Sequence, residues 1–348
     1  MNRFRFLSKL AIVAAIVGLG TGTIAAAAST QITGAGSTFD LPFFARAFFE
    51  YNKTHDDVQV NYQSIGSGGG IQQFTAQTVD FGASDVPLNA TELKAAQAAN
   101  GDVVEFPVTL GGAAIAFNVP GVAKGLKLDQ DTLANIFLGK ITNWNDPAIA
   151  KLNPGTNLPN LPLIVVHRAD GSGTTYIFTD YMSKISPEWK AKVGTAKVVS
   201  WPAASSVGAK GNEGVAGQIK NTPGAIGYIE LAYALQSDIT YAAIRNSGGK
   251  FVLPSIDTVR AAAAQKPTVN PTDFSIVDMP GANSYPIAGY SWAMLWKHQT
   301  NATKGKELVN LFRWLVKDGQ SYAVNVRYVG LPTNVQTEAD KALASIHI

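Results

Sequence analysis

The stretch "HRADGSGTTYIFTDYM", beginning at His167, sets Arg168 two residues from Asp170 and follows them with Gly171, Ser172, Gly173 and Thr174. An arginine fork can hold two oxygens of a tetrahedral oxyanion, and an aspartate beside it can orient the guanidinium. The same pair can also close on itself at a surface, where it would contribute at most ~1 kcal/mol. Arg168 follows the apolar run "LIVV" with only His167 between, which puts it at a strand's end, where open α/β sheets place their ligand crevices. A helical pattern comes next, and a helix start presents unpaired N–H groups to whatever stands before it. "ITGAGSTFDLPFFARAFFEY" and "YQSIGSGGGIQQFTAQ" repeat this order of strand, small-residue loop and helix. Ser, Thr and Gly are also the ordinary cap and turn residues, so each loop alone fits both readings. Three such loops in one chain favour a shared anion site.

Asp80 and Asp85, in "VDFGASDVPL", are candidates for acid–base work but lack company. The four histidines stand apart at 55, 167, 298 and 347, and no nucleophile elbow or HExxH spacing is present. Neither "GAGSTF" nor "GSGGGI" completes a phosphate-binding P-loop. No catalytic constellation, metal site or cofactor site is read from the chain. The N-x-[ST] triplets at Asn52, Asn89 and Asn301 read as coincidental.

The elements that would position these residues alternate. "VQVNYQSIG", "VDFGASDV", "PLIVVHRADGSG" and "TPGAIGYIELAYAL" read as strands, the first two ending in Gly/Ser turns. "LPFFARAFFEYNK" and "KELVNLFRWLVKDG" read as helices, the second with Leu308, Leu311, Phe312 and Leu315 on one face and Gly319 as its stop. Such alternation indicates an α/β fold with covered sheets. With 348 residues, 46% hydrophobic and 15% charged, the chain has material for two domains of ordinary size. Segments beginning at Phe106 and Val277, both bearing Pro and Gly, are candidate crossings between lobes.

The N-terminus has the layout of a secretory signal peptide: Arg3, Arg5 and Lys9, an apolar run, then small residues allowing cleavage after Ala27 or Ala28. The competing reading is an uncleaved anchor over the 19 uncharged residues from Leu10 to Ala28, but its Ala, Gly and Thr content favours a bilayer weakly. Removing the three basic residues of the signal takes the formal net charge from +3 to zero, which leaves no electrostatic case for nucleic acid. With no cysteine, the exported chain forms no disulfide and carries no lipidated-cysteine anchor.

Taken in order, "GAGSTF", "NYQSIGSGGGIQQF", "VDFGASDVPL", "LGKITNWNDPAIAKLNPG", "HRADGSGTTYIFTDY", "KGNEGVAGQIK" and "PGAIGYIELAYA" resemble the periplasmic phosphate-binding proteins of bacterial ABC phosphate-uptake systems. The similarity spans essentially the whole mature chain. It implies a type II periplasmic-binding-protein fold, two α/β lobes whose sheets are mostly parallel and flanked by helices, with a cleft closing on dehydrated phosphate. Lobe I would comprise 29–105 plus 285–348 and lobe II 112–278, joined by hinge crossings at 106–111 and 279–284. Carried over motif by motif, the phosphate contacts would be Thr38, Phe39, Ser67, Asp85, Arg168, Ser172, Gly173 and Thr174, with Asp170 bracing Arg168. Ser37, Gly68 and His167 depart from the family pattern without removing a contact, and His167 would add charge near the site at low pH. The resemblance also implies a periplasmic, non-enzymatic monomer that delivers phosphate to inner-membrane permease subunits driven by a cytoplasmic ATPase. Other readings are a receptor for another tetrahedral oxyanion such as sulfate, a secreted phosphatase, and a surface adhesin.

Overall fold

Apolar runs without polar alternation, such as "AIGYIE" and "AGYSWAMLW", suit strands covered on both faces. The computed structural model describes residues 29–348; the expected signal peptide, residues 1–28, lies outside the described residues. The strands are β1 (Thr30–Gly36), β2 (Val58–Ser64), β3 (Phe81–Ser84), β4 (Val103–Phe117), β5 (Lys127–Leu128), β6 (Ile164–Arg168), β7 (Ser206–Ala209), β8 (Ala225–Glu230), β9 (Thr240–Tyr241), β10 (Ala243–Arg245), β11 (Phe251–Val252) and β12 (Ala288–Trp296). The helices are α1 (Leu41–Asn52), α2 (Ser67–Thr75), α3 (Ala90–Asn100), α4 (Gln130–Phe137), α5 (Pro147–Leu152), α6 (Gly173–Ile185), α7 (Pro187–Lys192), α8 (Gly211–Asn221), α9 (Leu231–Gln236), α10 (Ile256–Ala264), α11 (Ala302–Val316) and α12 (Thr333–Ala344).

One long sheet runs in the order β2-β1-β3-β12-β4-β8-β6-β7, with β9 also on β4; β11, β10 and β5 form a small second sheet. The pairs β2–β1, β1–β3, β8–β6 and β6–β7 are parallel, whereas β12 runs antiparallel to both β3 and β4. The fold is thus mixed α/β with flanking helices. The 15-residue β4 changes neighbours along its length: residues 103–112 pair with β12 and Ala113–Phe117 pair with β8. Every residue of β12 is buried, and so is β4 from Phe106 onward.

α1 packs Phe43, Phe44, Ala47, Phe48 and Tyr51 inward, the stripe that its 3.6-residue period dictates. In α11 the expected face of Leu308, Leu311, Phe312 and Leu315 is buried, but Gly319 is not the stop. That helix ends at Val316, and Gly319 lies in a following 3-10 helix, Asp318–Tyr322, packed within van der Waals reach of the Trp314 ring. "TPGAIGYIELAYAL" is likewise strand for only six residues, after which Leu231–Gln236 coils into α9. The Glu230 carboxyl group, accepting from the Ala232 N–H at 2.7 Å, caps the new helix and breaks the strand. Asn89 and Asn301 cap α3 and α11 with their side chains, which accounts for two of the three N-x-[ST] triplets by helix chemistry.

Candidate functional site

The loops after β1, β2, β3 and β6 meet at one place. At the end of β6 the Arg168 fork grips Asp170 twice, Nε donating to Oδ1 at 2.7 Å and an Nη to Oδ2 at 2.5 Å. The pair is not on the surface, since the arginine side chain is 1% exposed and the aspartate 13%. Burial alone would push the guanidinium pKa down, but the bond and charge of Asp170 outweigh it and the net shift is upward. Gly211 N–H also donates to Asp170 Oδ1, so α8 helps hold the brace that holds the arginine.

Two residues on, Ser172 caps α6 by accepting from Thr175 N–H at 3.0 Å. Gly173 N–H donates to Ser67 Oγ at 3.0 Å, and Gly68 N–H at the start of α2 donates to Gly171 O at 2.9 Å. Backbone from positions about 100 residues apart therefore touches directly. Gly173 allows this contact, because a Cβ there would stand 2.5 Å from Asp85 Cβ and 2.6 Å from Asp85 N. Gly36 has a similar duty at φ +145, where a Cβ would strike Ala83 O.

Asp85 lies at the centre, 2% exposed. Its Oδ2 accepts from Thr174 Oγ1 at 3.1 Å; its Oδ1 contacts Ser37 Oγ and lies 3.0 Å from Ser291 Oγ. Burial raises its pKa, while the hydroxyls of Ser37 and Ser291, the Arg168 charge and the Thr174 hydroxyl pull it back. Thr38 Oγ1 accepts from both the backbone N–H and the side-chain amide of Asn212, at 3.1 and 2.8 Å. Phe39, fully buried, has its carbonyl bonded by the Tyr328 hydroxyl at 2.5 Å.

All eight residues read as ligand contacts, and Asp170, thus fall in one buried cluster at the ends of β1, β3 and β6 and the starts of α2 and α6. Asp80, weighed with Asp85, does not join it. Its carboxylate accepts from Thr33 N–H at 2.7 Å and pairs with Lys304 at 3.0 Å, which ties β1 to α11. His167 turns away as well, stacking on Trp201 with centroids 4.7 Å apart, and burial pushes its pKa down. Charge on His167 therefore appears only at more acidic pH than for a free histidine. Beside the cluster a cavity of about 810 Å³ opens at the surface, bordered by Gly68, Gln72, Glu92, Lys197 and Lys210.

A PBP superfamily domain matches residues 21–317 of the chain. The "Phosphate-binding protein PstS" of Pasteurella multocida is 43% identical over 94% of this chain and 94% of that protein. Those of Xylella fastidiosa and Methanocaldococcus jannaschii are 42% and 38% identical, covering 91% and 86% of this chain and 86% and 82% of those proteins. The chain belongs to the PstS phosphate-binding protein family. Solved structures carry the fold as well. A high affinity periplasmic phosphate-binding protein bound with phosphate matches with a TM-score of 0.71 at 22% identity, covering 90% of this chain and 93% of that one. A phosphate-binding protein from Stenotrophomonas maltophilia matches with a TM-score of 0.71 at 19% identity, covering 90% and 94%.

Against this PstS-family frame, four members of the cluster escape a reading of the sequence. Asn212 sits in "KGNEG", whose glycine at φ +73 opens α8, a fourth helix start pointing at the same place. It joins three pieces at once, through Thr38, Thr174 Oγ1 at 3.2 Å and Glu230 N–H, which donates to its Oδ1 at 2.9 Å. Ser291, the one serine of buried β12, is signalled only by being a hydroxyl in an apolar run. Asp40 looks like a helix cap but makes no capping bond, and Glu230 looks like the end of a strand.

Proposed function

We propose that this chain is a non-catalytic receptor that binds inorganic phosphate between two lobes and delivers it to an ABC-type import permease. The observation that carries the reading is the cluster itself. Hydroxyls, backbone N–H groups and a braced arginine from segments over 100 residues apart gather around one buried carboxyl group, Asp85, which the Thr174 hydroxyl meets directly. Helix starts and a guanidinium suit a tetrahedral anion. A carboxylate among them suits an anion that still carries a proton: phosphate can donate a P–OH to Asp85, whereas sulfate at neutral pH cannot. The names of the family relatives agree with phosphate.

In this reading Thr38, Phe39, Ser67, Asp85, Arg168, Ser172, Gly173 and Thr174 contact the anion and Asp170 orients Arg168. Lobe I is 29–105 plus 285–348 and lobe II is 112–278. The exchange of β4 partners after Gly112 supports a crossing at 106–111, and the strand-free stretch before β12 supports one at 279–284. The protein works as a monomer in the periplasm after loss of residues 1–28, handing phosphate to inner-membrane permease subunits and their cytoplasmic ATPase. No helix among the described residues is long and apolar enough to cross a membrane.

Calorimetry of refolded, phosphate-stripped mature protein tests this reading. Saturable one-to-one binding of phosphate, binding of arsenate, which keeps an equivalent OH, and no comparable binding of sulfate are expected. Sulfate binding as tightly as phosphate would replace the reading with a general oxyanion receptor. Steady turnover of a chromogenic phosphate ester, abolished by Arg168→Ala, would replace it with an enzyme.

A further inference from the structure

Behind the anion cluster, the count of hydrogens assigns a proton. Ser291 Oγ lies 2.7 Å from Asp40 Oδ2 and 3.0 Å from Asp85 Oδ1. A hydroxyl has one hydrogen, so it cannot donate to two ionised carboxylates. One of the two carboxyls must be the donor to Ser291. Asp85 is well supplied as an anion: Ser37 meets Oδ1, and Thr174 donates to Oδ2. Thr174 is committed to that role because the Asn212 amide donates to its oxygen. Arg168, from the end of β6, adds positive charge.

Asp40 has none of these supports. It is fully buried, its Oδ1 has no hydrogen-bond partner among the described residues, and its side chain accepts nothing from the N–H groups of α1. Around it stand Asp85 after β3, Glu230 at the end of β8, Tyr62 on β2, and Tyr233 and Tyr328, none of which brings a positive charge. An ionised carboxylate in that position would be a buried charge with one bonded oxygen, whereas a neutral carboxyl leaves only a carbonyl unpaired.

We propose that Asp40 carries a proton and donates it to Ser291, which in turn donates its own hydrogen to Asp85. Asp40 is thereby a positioning residue that keeps Asp85 the ionised acceptor facing the anion, and so sharpens the preference for a protonated oxyanion. This rests on the reading of Asp85 as an anion contact. Burial and the neighbouring charges of Asp85 and Glu230 raise the Asp40 pKa, which agrees with the hydrogen count. Glu230 shows the same logic one shell further back. Tyr328 Oη is 2.5 Å from the Phe39 carbonyl, which can only accept, and 2.9 Å from Glu230 Oε2, so Glu230 supplies the hydrogen of the second contact. Were Asp40 ionised, it would claim the Ser291 hydrogen and drive a proton onto Asp85. Asp85 would then become a donor and lose its means of rejecting sulfate.

The test combines infrared spectroscopy with calorimetry. Difference spectra at neutral pH between the full mature protein and its Asp40→Asn variant should show a protonated-carboxyl C=O stretch present in the first and absent from the second. In binding, Asp40→Ala should lower phosphate affinity at least about tenfold, or 1.4 kcal/mol, and lower the phosphate-to-sulfate ratio. Asp40→Asn, whose amide can donate to Ser291 in the same place, should return affinity to within about threefold of wild type. Ser291→Ala should reproduce the loss of the phosphate-to-sulfate ratio yet keep the Asp40 stretch, which serves if the Asp40→Ala chain does not fold. A difference spectrum with no carboxyl stretch overturns the proposal, and so does an Asp40→Asn variant with native melting that binds as poorly as Asp40→Ala. If the stretch is present but wild-type protein binds neither phosphate nor arsenate, the proton stays on Asp40 while the receptor reading and the positioning role both fall.

Discussion

In the proposed receptor Arg168 and Asp85 divide the work of recognition between attraction and exclusion, and each can be removed alone. Arg168→Ala deletes two charge-assisted donors and strands Asp170 in a site where its partner side chain is 1% exposed. Losing one member of a buried, hydrogen-bonded charge pair costs about 2–5 kcal/mol, so phosphate affinity measured by calorimetry should fall at least tenfold. Arg168→Lys should recover only part, because an ammonium cannot grip two oxygens in a plane. Affinity left intact in the alanine variant would put Arg168 outside the site. Asp85→Asn should instead change selectivity: it removes the charge that repels sulfate and adds N–H donors. The phosphate-to-sulfate ratio, measured by competition at constant ionic strength, should drop at least about tenfold. The Arg168–Asp170 pair was legible in the sequence because its spacing and its place after "LIVV" are local facts. Asp85 was legible only through the family motif. Asn212, Ser291 and Asp40 were not legible, because their partners lie 18 to 251 residues away and no periodicity encodes such a distance.

Helix starts carry the site at the next scale. The sequence marks three of them by Gly-Ser-Thr loops, and the structure brings α1, α2 and α6 together, with α8 as a fourth. Nothing in "KGNEG" alone marks the fourth, where Gly211 at φ +73 opens α8 and Asn212 is fully buried. The strand assigned through "ELAYAL" has a local cause. Where a segment is buried on all sides, apolar residues carry no period, and a side-chain cap such as Glu230 decides strand against helix. Gly173 separates the needs of the helix from those of the site. Alanine in the first turn of α6 should favour the helix by up to ~1 kcal/mol. Yet its Cβ would stand 2.5 Å from Asp85 Cβ and 2.7 Å from Ser67 Oγ, forcing α6 back from the ends of β3 and α2. Gly173→Ala should therefore bind phosphate at least about tenfold more weakly, and the overlap with buried Asp85 should lower the thermal midpoint without phosphate as well, because overpacking costs about 1–3 kcal/mol against the helix gain. Undiminished affinity would mean that α6 retreats without disturbing the contacts.

At the scale of the molecule, the cluster is also a store of buried titratable groups, and that couples stability to pH. In the proposed division into lobes the contacts come from both sides of the β4 crossing, so phosphate should draw the lobes together. Small-angle scattering should show a smaller radius of gyration with phosphate than without, and equal radii would argue against a hinge. The pH dependence follows from Glu230, fully buried, whose pKa is raised from 4.5 to about 8, chiefly by burial. Its neutral form is favoured in the folded protein, so its contribution is fully present below the unfolded value of 4.5. As pH rises, the unfolded chain releases this proton first while the folded chain keeps it. Stability then declines by up to ~1.4 kcal/mol per pH unit from this one group, until the folded pKa is passed. Glu105, raised to about 7 by burial, adds the same sign over a narrower range. Glu230→Gln removes the titration, and because the Ala232 N–H and the Tyr328 hydroxyl both meet Oε2, the amide keeps one of these two contacts and gives up the other at every pH. Denaturant melts of wild type and Glu230→Gln without phosphate should therefore differ by a fixed offset at the acid end of the range. The variant should gain on wild type as pH rises towards 8, by on the order of a few kcal/mol. A gap that stays constant with pH would show that Glu230 is already ionised in the fold and that the hydrogen between it and Tyr328 belongs to the tyrosine.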